Sequence, residues 1–327
     1  MGESDKKGRR TGRTNNQLYY LVGGWRMLLP RFVRRWQRRL LLRRWQQRPD
    51  ADYIRDRVDF YCRVAEGRAL GGKARPIKDF RLKGTPSRYF FDLGRYVKGF
   101  PGESGIDYMT TDVWENPDTP TLMKARRLDG KADNCALLNL DCRRHFIRPV
   151  DPVPFEEKKP VLFFRGEIDG KPHRIRFFEM WAGNPLFDLG DTTRKNRSRW
   201  FAPMVKLTDH FDYQFILTLE GNDMASALQW VMASNCVPVM PRPTVEGWLM
   251  HSRLVPGVHF IEIKPDFSDV GEKIKHYTDH PDEAAAISRA SKEWAAQFLD
   301  RRRESIISYL VVERFLACTG QLCPARL

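Results

Sequence analysis

Two short stretches of the chain carry residue types suited to holding a phosphate. Glu220-Gly221-Asn222-Asp223 follows an apolar run at 215–219 and precedes a helix expected over 223–233. A turn that leaves a strand for a helix presents backbone N–H groups and a helix start to an anion. Upstream, Arg165 lies between an apolar run at 161–164 and Gly166, where its guanidinium would clamp a diphosphate or else pair with Glu167. The sequence has no Gly-x-Gly-x-x-Gly and no Walker-type lysine loop, so by itself the Gly221 turn reads equally as a tight connection.

Metal chemistry is not indicated. Asp50-Ala51-Asp52 has Asp-x-Asp spacing but opens a helix, where the pair reads as N-cap carboxylates. The six cysteines, Cys62, Cys135, Cys142, Cys236, Cys318 and Cys323, contain no Cys-x-x-Cys pair. Neither structural zinc nor a disulfide framework is expected, and free thiols in a reducing cytosol are. A stretch rich in Gly, Pro, Asp and Thr runs over 100–120 and marks a loop, the kind of segment that carries chemistry disproportionately.

The elements that must position these residues are legible in outline. Apolar runs at 161–164, 215–219, 236–240 and 258–263 read as buried strands, and helices are expected between and after them over 174–180, 223–233 and 267–277. That alternation predicts an α/β fold with a parallel, helix-covered sheet. Two long helices, over 282–298 and 303–315, close the chain. Before the sheet, residues 50–65 read as a helix with Tyr53, Ile54, Val58, Tyr61 and Val64 on one face, and Tyr89-Phe90-Phe91 reads as a short buried strand. Four prolines within 149–160 mark a linker. With 327 residues, 42% of them hydrophobic, the chain is long and apolar enough for one or two packed units.

The net charge is +15, of which residues 1–48 carry +12 through fourteen Lys or Arg against two acids. The basic excess therefore belongs to an N-terminal arm, and a nucleic-acid partner is not expected of the body. Leu29, Val33, Trp36 and Leu40 recur at steps of three and four, with Arg31, Arg34, Arg35, Arg38 and Arg39 on the intervening faces. With Arg43, Arg44 and the indoles of Trp25, Trp36 and Trp45, this basic amphipathic helix is expected to lie on an anionic membrane surface. The alternatives are a helix packed on the body with its arginines in solvent, or one that follows a nucleic-acid backbone. No apolar run reaches the roughly 18 residues of a membrane span, and Arg26 interrupts the best stretch. A secretory signal is not expected either.

Several stretches together resemble glycosyltransferase family 90, which includes bacterial lipopolysaccharide A proteins, fungal capsule-associated transferases and animal protein O-glucosyltransferases. They are Asp209-His210-Phe211-Asp212-Tyr213-Gln214-Phe215, Leu219-Glu220-Gly221-Asn222-Asp223 with Ser226, and Ser234-Asn235-Cys236-Val237-Pro238-Val239. Glu246-Gly247-Trp248, His259-Phe260-Ile261-Glu262-Ile263 and Asp266-Phe267-Ser268-Asp269 continue the likeness. Phe163-Phe164-Arg165-Gly166 matches the family's strand-Arg-Gly motif, and the loop 112–120 with Lys124 and Arg126 is similar to the bacterial members' donor-cleft loop. The likeness spans roughly residues 50–315 of the chain.

The resemblance implies a GT-B-like pair of Rossmann-like domains facing a cleft, and inverting transfer from a UDP-sugar with no metal or other cofactor. For bacterial members it implies a lipopolysaccharide-core acceptor, hence a place on the cytoplasmic face of the inner membrane. Asp112 matches the family's catalytic aspartate and is expected to deprotonate the acceptor hydroxyl, with Asp92 as substitute. Lys124 and Arg126 are expected at the acceptor or cleft side. Arg165, with Arg174 as its weaker partner, would neutralise the diphosphate, aided by backbone N–H groups around Gly221, Asn222 and Asp223 and by Ser226, with Glu220 in the same nucleotide-sugar site. Gly166, Asp209, His210 and Tyr213 would shape the nucleotide pocket. One departure is clear: eukaryotic members place an Arg and a Lys in the helix after the Gly turn, where this chain has Ala227 and Gln229. The implied domains are a membrane arm at 1–48, an acceptor-side domain at 49–155 completed by 300–327, and a nucleotide-sugar domain at 156–299. The rival readings are transfer to a capsule or other surface glycan, and a non-catalytic membrane- or nucleic-acid-binding protein that retains the fold.

Overall fold

The computed structural model describes residues 9–11, 15–83 and 85–322. It falls into two compact units. One, largely helical, takes residues 15–144, Thr244–His251 and 298–322. The other holds the main sheet and takes residues 9–11, His145–Pro243 and Ser252–Gln297. The break falls at Arg144/His145, ahead of the proline-rich stretch. That stretch is no loose linker: Lys158 and Asp151 form a buried ion pair at 2.8 Å, and Asp151 also accepts the Asn235 N–H.

The helical unit begins with α1 (Asn16–Leu28) and α2 (Arg31–Leu42). The Asn15 side chain caps α1 by accepting the Gln17 N–H, and Pro30 sets the start of α2. There follow α3 (Ala51–Tyr61), β1 (Arg75–Pro76), α4 (Ser87–Val97) and β2 (Gly105–Ile106). Next come β3 (Thr121–Met123), β4 (Ala125–Arg127), β5 (Cys135–Leu137) and the short α5 (Cys142–His145). Tyr89-Phe90-Phe91, expected as a strand, is the first turn of α4: Tyr89, Leu93 and Tyr96 with Phe90 and Val97 repeat at helical spacing and are buried. Three aromatic residues are too short a window to separate the two periods. Gly23 lets α1 approach α4 closely, since a Cβ there would stand 2.8 Å from the Phe91 ring. The sheet expected for a Rossmann-like domain is absent among the described residues of this unit. It has two-stranded pieces instead: β1 with β2, β3 parallel to β5, and β4 with β10 (Val245–Gly247).

In the other unit, β6 (Lys159–Gly166), α6 (Pro172–Trp181), β7 (Phe187–Asp191), β8 (Tyr213–Leu217), α7 (Leu228–Met232) and β9 (Val237–Met240) alternate as expected. After β10, β11 (Ile261–Glu262), α8 (Val270–Asp279) and α9 (Pro281–Ala296) complete it, and α10 (Arg301–Cys318) returns to the helical unit. The five strands are parallel in the order β11-β9-β8-β6-β7, a helix-covered α/β sheet. One face buries Leu162, Phe164, Phe215, Leu217, Val237 and Val239. The other packs Phe163, Ile216, Phe211 and Trp230. This alternation along β6 and β8 follows from the period of two.

No helix of the described residues is long and apolar enough to cross a membrane. The described cysteines are free thiols, and Cys323 lies outside the described residues.

Candidate active site

In a parallel sheet the strands all point one way, so their carboxyl ends form one edge. At that edge Arg174, on α6, bridges the exits of β6 and β8. Its guanidinium donates to the carbonyls of Glu167 (2.8 Å), Leu219 (2.7 Å) and Glu220 (3.0 Å). Burial pulls the guanidinium down to about 10, with Glu167 acting the other way. Its hydrogen bonds go to carbonyl oxygens, so at neutral pH its positive charge stays at this edge. The nearest neighbours of a Cβ placed on Gly221 would be Arg174 and Lys171. Lys171, Arg174 and His173, whose Nε2 lies 2.9 Å from the Glu220 carbonyl, thus flank the Gly221 turn.

The turn itself differs from expectation. Gly221 N–H donates to the Asp223 carbonyl, and the Asp223 carboxylate accepts the Met224 N–H. These bonds close the segment on itself, and the helix expected from residue 223 starts at Leu228 and runs five residues. A dipole at that helix start is not what an anion would meet. Ser226 is half-buried before α7 and Asn222 is exposed.

The loop after β7, not among the site residues expected above, leaves at the same edge. Arg194, Lys195, Arg197 and Arg199 are exposed there, four cations within six residues. Buried Asp191 fixes its base by accepting from the Thr193 hydroxyl (2.6 Å) and N–H (2.9 Å) and the Ser198 hydroxyl (2.7 Å). Burial opposes the charge on Asp191, but these hydrogen bonds win and hold the carboxyl below its usual range. The basic run was visible in the sequence, and its position after a strand was not, because β7 (Phe-Asp-Leu-Gly-Asp) lacks an apolar run.

Arg165 is differently placed. It lies within β6, and its side chain turns onto Asp188 of β7, donating to the carboxylate (2.7 Å) and the carbonyl (3.0 Å) while lying over the Phe163 ring. The Tyr213 hydroxyl donates to the other oxygen of Asp188 at 2.9 Å, and its ring stacks on Phe163 at 4.0 Å. Burial first, then the bond to Asp188, pushes the Tyr213 phenol up to about 12. Gly190, opposite Arg165, makes room: a Cβ there would meet Ala202 at 2.6 Å and Arg165 at 2.8 Å. Asp188, another residue missed in the sequence, meets the charge of Arg165.

Asp209 and His210 precede β8, and Glu220 to Ser226 follow it. The strand's five residues rise about 3.3 Å each, so the two groups stand at opposite edges, roughly 16 Å apart along the strand. They do not form a single pocket. Asp209 caps its own short turn by accepting the Lys206 N–H. The His210 ring packs edge-on to Phe163 and Trp230, and burial holds it below the ordinary imidazole range. Arg9, paired with Asp212 at 2.5 Å, closes this amino edge.

In the helical unit the loop 107–120 carries half-buried Asp112, whose Oδ1 accepts from the buried Lys124 ammonium at 2.9 Å. Asp92 lies inside the unit and not on a surface open to an acceptor. It accepts from the Tyr19 hydroxyl (2.8 Å) and the Cys142 N–H (3.0 Å), and burial pushes its carboxyl up to about 6 against those bonds. Arg126 is buried too, opposite Glu246 across the β4–β10 pair and over Phe60. Both departures have one cause: residues on a helix or strand of a small unit face its core at regular intervals, whatever their charge.

Residues 141–312 match Glycosyl transferase family 90. The chain belongs to this family and is a glycosyltransferase. It is 33% identical over 265 residues to O-glucosyltransferase LpsA of Dichelobacter nodosus, a match covering 81% of this chain and 83% of that one. It is 28% identical over 152 residues to Protein O-glucosyltransferase 2 of Danio rerio, and 26% over 165 residues to Protein O-glucosyltransferase 3 of Homo sapiens. Those matches cover 44% and 48% of this chain but 30% and 32% of the animal proteins.

Proposed function

We propose that this glycosyltransferase moves a hexose from a UDP-sugar to a core sugar of lipopolysaccharide or lipooligosaccharide. The reaction takes place on the cytoplasmic face of a bacterial inner membrane. Transfer inverts the anomeric carbon and uses no metal ion. The observation that carries this reading is a run of four exposed cations, Arg194, Lys195, Arg197 and Arg199, after β7, at the same carboxyl edge as Lys171 and Arg174 beside the Gly221 turn. A nucleoside diphosphate leaving group needs such an edge, and these cations supply the charge that Ala227 and Gln229 do not.

Asp112 is the base in this mechanism. It takes the proton of the acceptor hydroxyl as that oxygen bonds to the anomeric carbon, while the bond from that carbon to the UDP oxygen breaks. A single displacement leaves the configuration inverted. Lys124 holds the Asp112 carboxylate in place between turnovers. The relatives' name makes glucose the first hexose to try. The test is UDP release from a panel of nucleotide sugars with lipopolysaccharide-core acceptor in the presence of chelator. Release from a UDP-hexose supports the reading. Release only from another nucleotide sugar, or only with added metal, overturns that part of it.

A further inference from the structure

In a water-soluble protein an amphipathic helix turns its apolar stripe to the body and its charges outward. α2 does the reverse. Arg34 is 6% exposed and donates to the carbonyls of Leu29 (3.1 Å) and Gly94 (3.4 Å), and to that of Arg26. Arg38 lies over the Phe100 ring at 4.1 Å. Phe32, Trp36 and Leu40, one stripe at i, i+4, i+8, are 52–73% exposed. α1 behaves likewise. Tyr19 and Gly23 pack on α4, while Leu18, Leu21, Trp25 and Leu28 form an outward stripe 53–83% exposed. Because Arg34 pins the last turn of α1 and the backbone of α4 together, both stripes are held in fixed places by one buried guanidinium.

The geometry points to an in-plane docking surface for an anionic phospholipid monolayer, formed by the outward apolar stripes of α1 and α2 with an arginine row beside them. Arg31, Arg35, Arg39 and Arg43 repeat every four residues, one position ahead of Phe32, Trp36 and Leu40, so they stand about 100° around the helix from that stripe. They are exposed, and neither helix contains an acidic residue. That arrangement places apolar side chains among acyl chains and guanidinium groups at the level of phosphates. An open groove of about 530 Å³ beside α2 brings Trp36, Arg39, Leu40 and Arg43 together, with Glu313 as the one carboxylate on its wall. The surface differs from the arm expected from the sequence: Arg34 and Arg38 face the body, and Trp45 is buried. Leu18, Leu21, Leu28 and Phe32 take their place. The inference rests on the proposed function for the location of the acceptor, but its test reads the surface alone.

The full chain is floated with vesicles of phosphatidylglycerol and phosphatidylcholine, and with phosphatidylcholine alone, beside a Phe32→Ser/Trp36→Ser/Leu40→Ser variant. The wild type is expected to float with the anionic vesicles, and the variant to partition at least about tenfold less at an unchanged unfolding midpoint. An Arg31→Gln/Arg35→Gln/Arg39→Gln/Arg43→Gln variant is expected to lose the preference for anionic over neutral vesicles. A wild type that does not float, or an apolar variant that floats equally well, overturns the inference. So does a wild-type dimer that the apolar variant converts to monomer without any vesicle binding, since the stripe would then cover a second copy. Flotation with no sugar transfer by the same preparation supports this surface and removes the proposed function. Transfer to a water-soluble acceptor without flotation does the opposite.

Discussion

Lys124 Nζ donates to Asp112 Oδ1 at 2.9 Å, joining a buried ammonium to a half-buried loop carboxylate. The ammonium is fixed between β3 and β4, so the pair sets where the carboxylate stands although the loop around it has little regular structure. For the proposed base this is orientation supplied by the fold.

Asp112→Asn keeps the shape and removes the proton acceptor. We expect kcat to fall roughly 10²–10⁴-fold, the usual worth of a general base, with the donor KM little changed. Lys124→Met is expected to lower kcat by a smaller factor. Steady-state kinetics on both variants checks this, and an Asp112→Asn enzyme with wild-type kcat would move the base elsewhere.

Arg194→Gln/Arg197→Gln touches exposed side chains only, so the unfolding midpoint should hold. If the loop meets the diphosphate, the donor KM rises about tenfold while kcat stays within about twofold, and the wild-type KM rises with salt more steeply than the variant's.

Asp92 makes stability depend on pH. Its folded pKa of about 6 lies above the unfolded carboxyl value, near 3.9. The stability it contributes is therefore fully present below about pH 4 and is lost as pH rises through about 6, a difference of about 3 kcal/mol. Asp92→Asn removes that titration. Urea unfolding at a series of pH values should show the variant gaining on the wild type between pH 4 and 7. Asp141, also raised by burial, leaves a residual slope common to both.

The helical unit is held by a buried pair. Both terminal nitrogens of Arg57 donate to Glu304, the Tyr61 hydroxyl donates to the Trp248 carbonyl at 2.6 Å, and Trp248 Nε1 donates to Glu304 at 2.6 Å. Glu304→Gln leaves a guanidinium without its counter-charge and is expected to cost about 3–5 kcal/mol in urea unfolding. Arg57→Met/Glu304→Leu should recover much of that loss.

The strands β6, β8 and β9 were legible because each is an apolar run between Gly, Pro or charged residues. β7 was not, since an edge strand with two aspartates carries no such run, and Asp188, Asp191 and the basic loop went unseen with it. Asp209 and His210, assigned to the nucleotide pocket by the resemblance, are separated from Glu220 by the length of β8. The period of α2 revealed an amphipathic helix but not which face meets the body: a stripe has the same spacing turned inward or outward. Thr244–His251 and α10 join the helical unit through Trp248 and Glu304, contacts with no local pattern to announce them.

The most direct test of the account is the configuration of the new glycosidic bond. Product made from α-linked UDP-glucose, isotopically labelled at the anomeric carbon, is read by nuclear magnetic resonance. A β-linked product is the expected result of one displacement assisted by one base. An α-linked product would contradict it, because back-side displacement by the deprotonated acceptor cannot retain the configuration.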